Sequence, residues 1–164
     1  MFWSSPNSEP KRAYRWTMEF NGIPQWLLKK VTKPSFAVTE TAHTYLNHKF
    51  FYPGRVEWNT INITLADPVT PDASKTIMDI IGHAGYHAPT DSTDTQTMSK
   101  SKAVANFGNP LTINQLGPDN QVVERWELYN PWIKDVKFGE LDYESDDMVD
   151  IELEIRYDYA KITK

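Results

Sequence analysis

The chain contains no cysteine. That removes disulfides, thiolate zinc sites and cysteine nucleophiles together, though it does not settle the compartment. No Gly-rich phosphate loop, dinucleotide fingerprint or Gly-x-Ser-x-Gly nucleophile elbow is present. No run of 18 apolar residues occurs, so no membrane-spanning helix and no direct membrane anchoring are expected. Residues 1–10 lack the basic start and apolar stretch of a signal peptide, so the chain reads as intracellular. Positive charge is in deficit. Seventeen Lys and Arg stand against 22 Asp and Glu, for a formal charge of −5 and a pI near 5.3. That balance argues against a protein that grips nucleic acid by its phosphates.

What is present begins with aromatic side chains: six Trp, eight Tyr and seven Phe in 164 residues. On a β scaffold these could stack on sugars or single-stranded bases. Trp16, Trp58 and Trp126 fall inside alternating strands, where core packing is the default. The cations do not cluster between the aromatics as a strand-tracking groove requires.

The strongest pattern closes the chain. Over 148–160, Val149, Ile151, Leu153, Ile155, Tyr157 and Tyr159 alternate with Asp150, Glu152, Glu154, Arg156 and Asp158. Period two fits one long strand and not a helix. A strand of that length needs a large sheet to pair with.

Upstream, residues 1–12 form an arm with Phe2 and Trp3 at its tip. Residues 13–164 read as a single β domain. Tyr14, Trp16, Met18 and Phe20 alternate as a half-buried strand closed by Asn21-Gly22. An extended run at 36–41 continues into a long hairpin over 41–54, with Pro53-Gly54 as its turn. The return strand, about 55–66, changes its apolar face between Trp58 and Ile61. A period-two strand does this only at a bulge or where the buried face changes. The switch suggests that the hairpin tip packs on another subunit. Thr70 is expected to cap a helix with Pro71 at its first position and an Ile77, Ile80, Ile81, Ala84 stripe, stopped by Gly85. Residues 88–102 read as a surface loop, with a short helical turn near 97–106. Strands follow at 111–116, 122–129 and 132–138. The fold class is therefore mainly β: two packed antiparallel sheets in a sandwich or partial barrel, with one flanking helix and about seven strands.

Candidate chemistry is thin. His83 and His87 have the spacing of two ligands on one helical face, but Gly85 between them ends the helix. An Asp142-based calcium loop would need Gly and Glu at positions held by Asp147 and Leu153. No catalytic, metal or cofactor site is assigned.

Four ordered stretches carry a resemblance. They are Lys33-Pro34-Ser35-Phe36; Tyr52-Pro53-Gly54-Arg55 with Trp58, Ile61, Ile63, Thr64 and Asp67; residues 114–118; and residues 126–143. With the closing strand they resemble the tail tube protein of contractile-tailed, T-even-like bacteriophages, over about residues 13–162. The resemblance implies a non-enzymatic virion subunit, assembled in the host cytoplasm. Hexameric rings would stack into an inner tube inside a contractile sheath, and DNA would pass through without specific binding. Implied partners are sheath, baseplate tube-initiator, tape-measure and tail-terminator proteins. The alternatives are a tube-initiator of the same fold, or a monomeric β-sandwich module binding sugar or single-stranded nucleic acid. Phe2, Trp3, Tyr45, Phe50, Phe51 and Tyr52 are the candidate contacts between subunits or rings. Asp150, Glu152, Glu154 and Asp158 are candidates for an acidic channel surface, since like charge would let DNA slide.

Overall fold

The computed structural model describes residues 4–19, 23–92 and 96–164. Phe2, Trp3, Phe20 and the Asn21-Gly22 pair lie outside them. Ten strands and two α-helices follow one another: β1 (Trp16–Glu19), β2 (Leu28–Val31), β3 (Phe36–Tyr45), β4 (His48–Trp58), β5 (Ile61–Ala66), α1 (Ala73–His83), α2 (Lys100–Phe107), β6 (Leu111–Leu116), β7 (Val122–Tyr129), β8 (Trp132–Lys137), β9 (Asp150–Arg156) and β10 (Tyr159–Ile162). Two four-stranded antiparallel sheets, ordered β1-β6-β7-β10 and β2-β5-β9-β8, enclose the core, and β3 and β4 form a separate two-stranded ribbon. Among the described residues the sheets do not close into a barrel.

The core follows from period-two alternation. Ile61, Ile63 and Leu65 of β5 sit opposite Ile155, Leu153 and Ile151 of β9, and all six are fully or almost fully buried. The other sheet contributes Met18, Ile113, Leu111 and Leu128 to the same cluster. Side chains from both inner faces thus fill one layer, as in other β-sandwiches.

The terminal alternation holds only through Tyr157. The one long strand expected over 148–160 is two strands, β9 and β10, in different sheets. Asp158 turns the corner, its N–H donating to the Tyr129 carbonyl (3.0 Å). Tyr159 then faces outward and stacks on Tyr129 at 4.8 Å, while Ala160 faces the core. The corner between β7 and β8, at Asn130-Pro131, changes sheet in the same region.

The hairpin also departs from expectation. Its turn is Leu46-Asn47, since Tyr45 pairs with His48. Leu46 takes a positive φ of 55°, which is costly for a residue with a Cβ. Pro53-Gly54 lies inside β4 at a bulge, where the register slips between Val38 and Glu40. A Cβ on Gly54 would collide with Thr39 Oγ1. That oxygen accepts the Arg55 N–H at 2.8 Å. Proline has no N–H to give a ladder and glycine no Cβ, so the pair suits a bulge as well as a turn. The face change between Trp58 and Ile61 is the boundary between β4 and β5, which belong to different sheets.

Two helices flank the sandwich where one was expected. Asp72, not Thr70, caps α1, accepting the Lys75 N–H at 3.3 Å. Gly85 ends the helix at φ 115°. Its N–H bonds Gly82 O, and the Tyr86 N–H bonds Ile81 O, the double bond of a Schellman stop. The expected helical turn near 97–106 is α2, capped by the Ser99 side chain.

Candidate functional site: the projecting hairpin and the charged sheet

Hairpin β3–β4 leaves the sandwich with almost nothing covering it. All ten residues of β3 are exposed, as are all of β4 except half-buried Trp58. Tyr45, Phe50, Phe51 and Tyr52 are each about half exposed or more. A lone two-stranded ribbon is marginal in water, and two open edges invite pairing. Only its base touches the body. Phe36 packs edge-on against Trp58 at 5.1 Å, and Trp58 lies 6.0 Å from Tyr157 in the core.

The approach to this base is fixed by one carboxylate. Glu124 on β7 is buried, and it accepts hydrogen bonds from Lys11 of the arm, from Lys33 at 3.1 Å and from the Trp126 indole N–H. Burial raises its pKa, but these donors outweigh burial and bring the carboxyl down to about 2. The arm is held further by Gln115, whose Nε2 donates to the carbonyls of Arg12 (2.7 Å) and Arg15 (2.9 Å). Arm and hairpin therefore leave the body beside one shared anchor. Nothing in the sequence singles out Glu124, because Glu124 and Trp126, two residues apart, look like one face of an ordinary strand.

The four acidic candidates are not one patch. Asp150, Glu152 and Glu154 share the outer face of the β2-β5-β9-β8 sheet. Flanking strands bring lysines alongside: Lys29 bonds Asp150 at 2.9 Å, Lys134 lies 3.9 Å from Glu154, and Lys137 sits opposite Glu152. A shallow depression of about 390 Å³ between Lys30, Thr64, Asp135, Lys137 and Glu152 completes this mixed-charge face. Asp158 lies apart, at the corner after β9. Lys100 of α2 donates to it at 2.8 Å and Asn130 at 2.9 Å, and these bonds hold its carboxyl below the usual range against some burial.

The net charge sits elsewhere. The loop 138–149 between β8 and β9 holds five acids and no base. Removing it leaves 17 acids against 17 bases, so the rest of the chain is balanced. Among the described residues, no group of three or more His, Asp or Glu is placed to hold a metal. Among them too, no helix is long and apolar enough to cross a membrane.

No protein-family model and no curated protein matches the chain. Solved structures do. A chain of the sheath/tube terminator of an extracellular contractile injection system, PVC, in its extended state, superposes with a TM-score of 0.69 at 14% identity, covering 94% of this chain and 97% of that one. A chain of the PVC sheath–tube complex gives 0.67 at 15%, covering 96% and 94%. A chain of the baseplate of the anti-feeding prophage gives 0.66 at 16%, covering 94% and 96%. The chain shares its fold with these chains of contractile injection systems. The likeness runs over nearly the whole length of both chains, so the architecture as a whole is shared and not one motif within it.

Proposed function

We propose that this protein is the structural subunit of the inner tube of a contractile tail of the T-even type, stacking as hexameric rings inside a sheath. The observation that carries this reading is the hairpin. Its strands of ten and eleven residues are exposed on both sides, on a body whose fold matches chains from a sheath–tube complex, a terminator and a baseplate. Exposed apolar surface of this extent marks a docking element. When the docking surface differs from the surface it meets, copies join head to tail, and such contacts close into rings or extend as filaments. A tube requires both.

The partners that follow are a sheath, a baseplate tube-initiator, a tape-measure protein and a tail terminator. The tube would be built in the host cytoplasm and become part of the virion. The likeness of the fold to chains of a sheath–tube complex, a terminator and a baseplate supports an architectural role. The outer face of β9, where Asp150, Glu152 and Glu154 stand among Lys29, Lys134 and Lys137, is our candidate for the wall along which DNA slides, a mixed-charge surface with no cationic excess to hold phosphates. The corner residue Asp158 serves α2 packing instead.

Negative-stain electron microscopy of the purified protein, with light scattering on the same sample, tests the reading. Rings or hollow tubes with six-fold symmetry are expected, directly or after addition of a baseplate-bearing extract. A chain that stays monomeric under both conditions refutes it.

A further inference from the structure

We infer that the two faces of hairpin β3–β4 are covered by two different copies of this chain, one beside it in a ring and one in the next ring. The inference rests on the tube reading and adds a division of labour within one element. Register assigns the faces. Phe36 opposes Trp58, Val38 opposes Val56, and Ala42 opposes Phe51, so these six side chains share one face. Tyr45 opposes His48, His43 opposes Phe50, and Thr41 opposes Tyr52 on the other. Both faces are open along their length.

Each face carries its own apolar surface, and one flat neighbour cannot cover both sides of a ribbon. A ten-residue strand spans about 34 Å and two strands about 10 Å, so each face offers roughly 350 Å², against about 800 Å² per partner in a standard stable interface. Neither face reaches that size alone, so the contact made through each face must extend beyond the ribbon onto the body of the copy that covers it. The ribbon's charge is balanced, with Glu40 and Glu57 against Lys49 and Arg55. Outside the loop 138–149 the chain is balanced too, so another copy fits it better than a strongly charged partner does.

The faces differ in a way that assigns them. The Val38–Val56 face runs into the body's own core through Phe36, Trp58 and Tyr157. A copy covering it stands flush against the body, as a ring neighbour does. It is also the more aliphatic face, the character of a permanent contact. The Phe50–Tyr52 face is concentrated towards the tip, away from the body, and mixes aromatics with His43 and His48. His48 already packs edge-on to Phe50 at 4.8 Å. That mixture suits the contact made last, between finished rings.

The test separates the two assembly steps. Val56→Asp and Phe50→Asp variants are compared with the wild type by sedimentation velocity and electron microscopy, with thermal melting as the check on folding. V56D is expected to remain monomeric, and F50D to form rings that do not stack. Because the chain has no cysteine, V56C placed in the F50D background gives a second readout. Maleimide labelling of V56C should fall at least tenfold on ring formation, while the thiol of F50C, introduced alone, is protected only after stacking. Both variants stopping at the same species, or a thiol at 56 that labels freely within rings, overturns the two-sided assignment and leaves the tube reading standing. A wild type that never assembles overturns both.

Discussion

In β9, Ile151, Leu153 and Ile155 are fully or almost fully buried while Glu152 between them is exposed. In β3, a strand three residues longer, nothing is buried on either side. Both strands have residues suited to sheets, and β3–β4 is the richer in aromatics. The difference is what lies opposite. β9 has β5 on one side, β8 on the other and a second sheet across the core; β3 has β4 and nothing else among the described strands. The sandwich buries its apolar surface within its own fold, and the hairpin leaves its apolar surface exposed.

If that division is right, substitutions in the body and in the hairpin act on different measurements. Leu153→Ala in the centre of β9 should cost about 2–5 kcal/mol of monomer stability, through lost burial and the cavity left behind. Urea unfolding checks this, and a loss under about 1 kcal/mol would show that the core is not where the body's stability lies. Glu124→Gln comes next, at roughly 1–2 kcal/mol near neutral pH, since the two lysines that share the charge-assisted bonds are both about half exposed. The carboxyl's folded pKa of about 2 lies below its ordinary 4.5. Its contribution is therefore complete above about pH 5 and is lost as pH falls from about 4.5 through about 2. The variant should lack that part of the acid limb in unfolding titrations between about pH 6 and pH 2. An unchanged limb would remove Glu124 from the arm's anchor.

Replacing residues 43–50 by Asn-Gly, which closes the ribbon at the Ala42–Phe51 pair, should change monomer stability by less than about 0.5 kcal/mol, as for surface changes generally. It should nevertheless abolish tubes. Normal tubes from that variant would break the comparison outright. Smallest in stability terms is Glu152→Lys on the exposed sheet face, also within about 0.5 kcal/mol. Tubes should form normally, and DNA ejection through them should slow as lysines accumulate along the wall. Unchanged ejection would take the channel role from this face.

Element type is largely legible in the residue pattern. Alternation marks β1, β5, β6, β7 and β9, the Ile77–Ile81 stripe marks α1, and Gly85 marks its stop. The hairpin's existence is legible too, while its turn is not. Pro53-Gly54 carries the stronger turn signature, but the bulge absorbs it, and the chain reverses at Leu46-Asn47 with an ordinary leucine at positive φ. The acidic alternation of β9 likewise suggests a charged wall. The lysines that neutralise it arrive from β2 and β8, and Lys29 lies 121 positions from its partner Asp150. The unbalanced charge sits in the loop after β8.

Residue order settles which side chains share a face of a strand, because side-chain direction in a strand is a local consequence of the pleat. It also determined what chemistry is absent, since a chain without cysteine has no thiol to offer. The packed fold settles which strands share a sheet, that 148–160 divides at Asp158, and that Lys11 and Lys33 converge on Glu124. It alone decided that β3–β4 leaves the body with both faces bare. Those outcomes depend on which distant strand offers its edge and its apolar face, a choice made by the competition of all strands for one core.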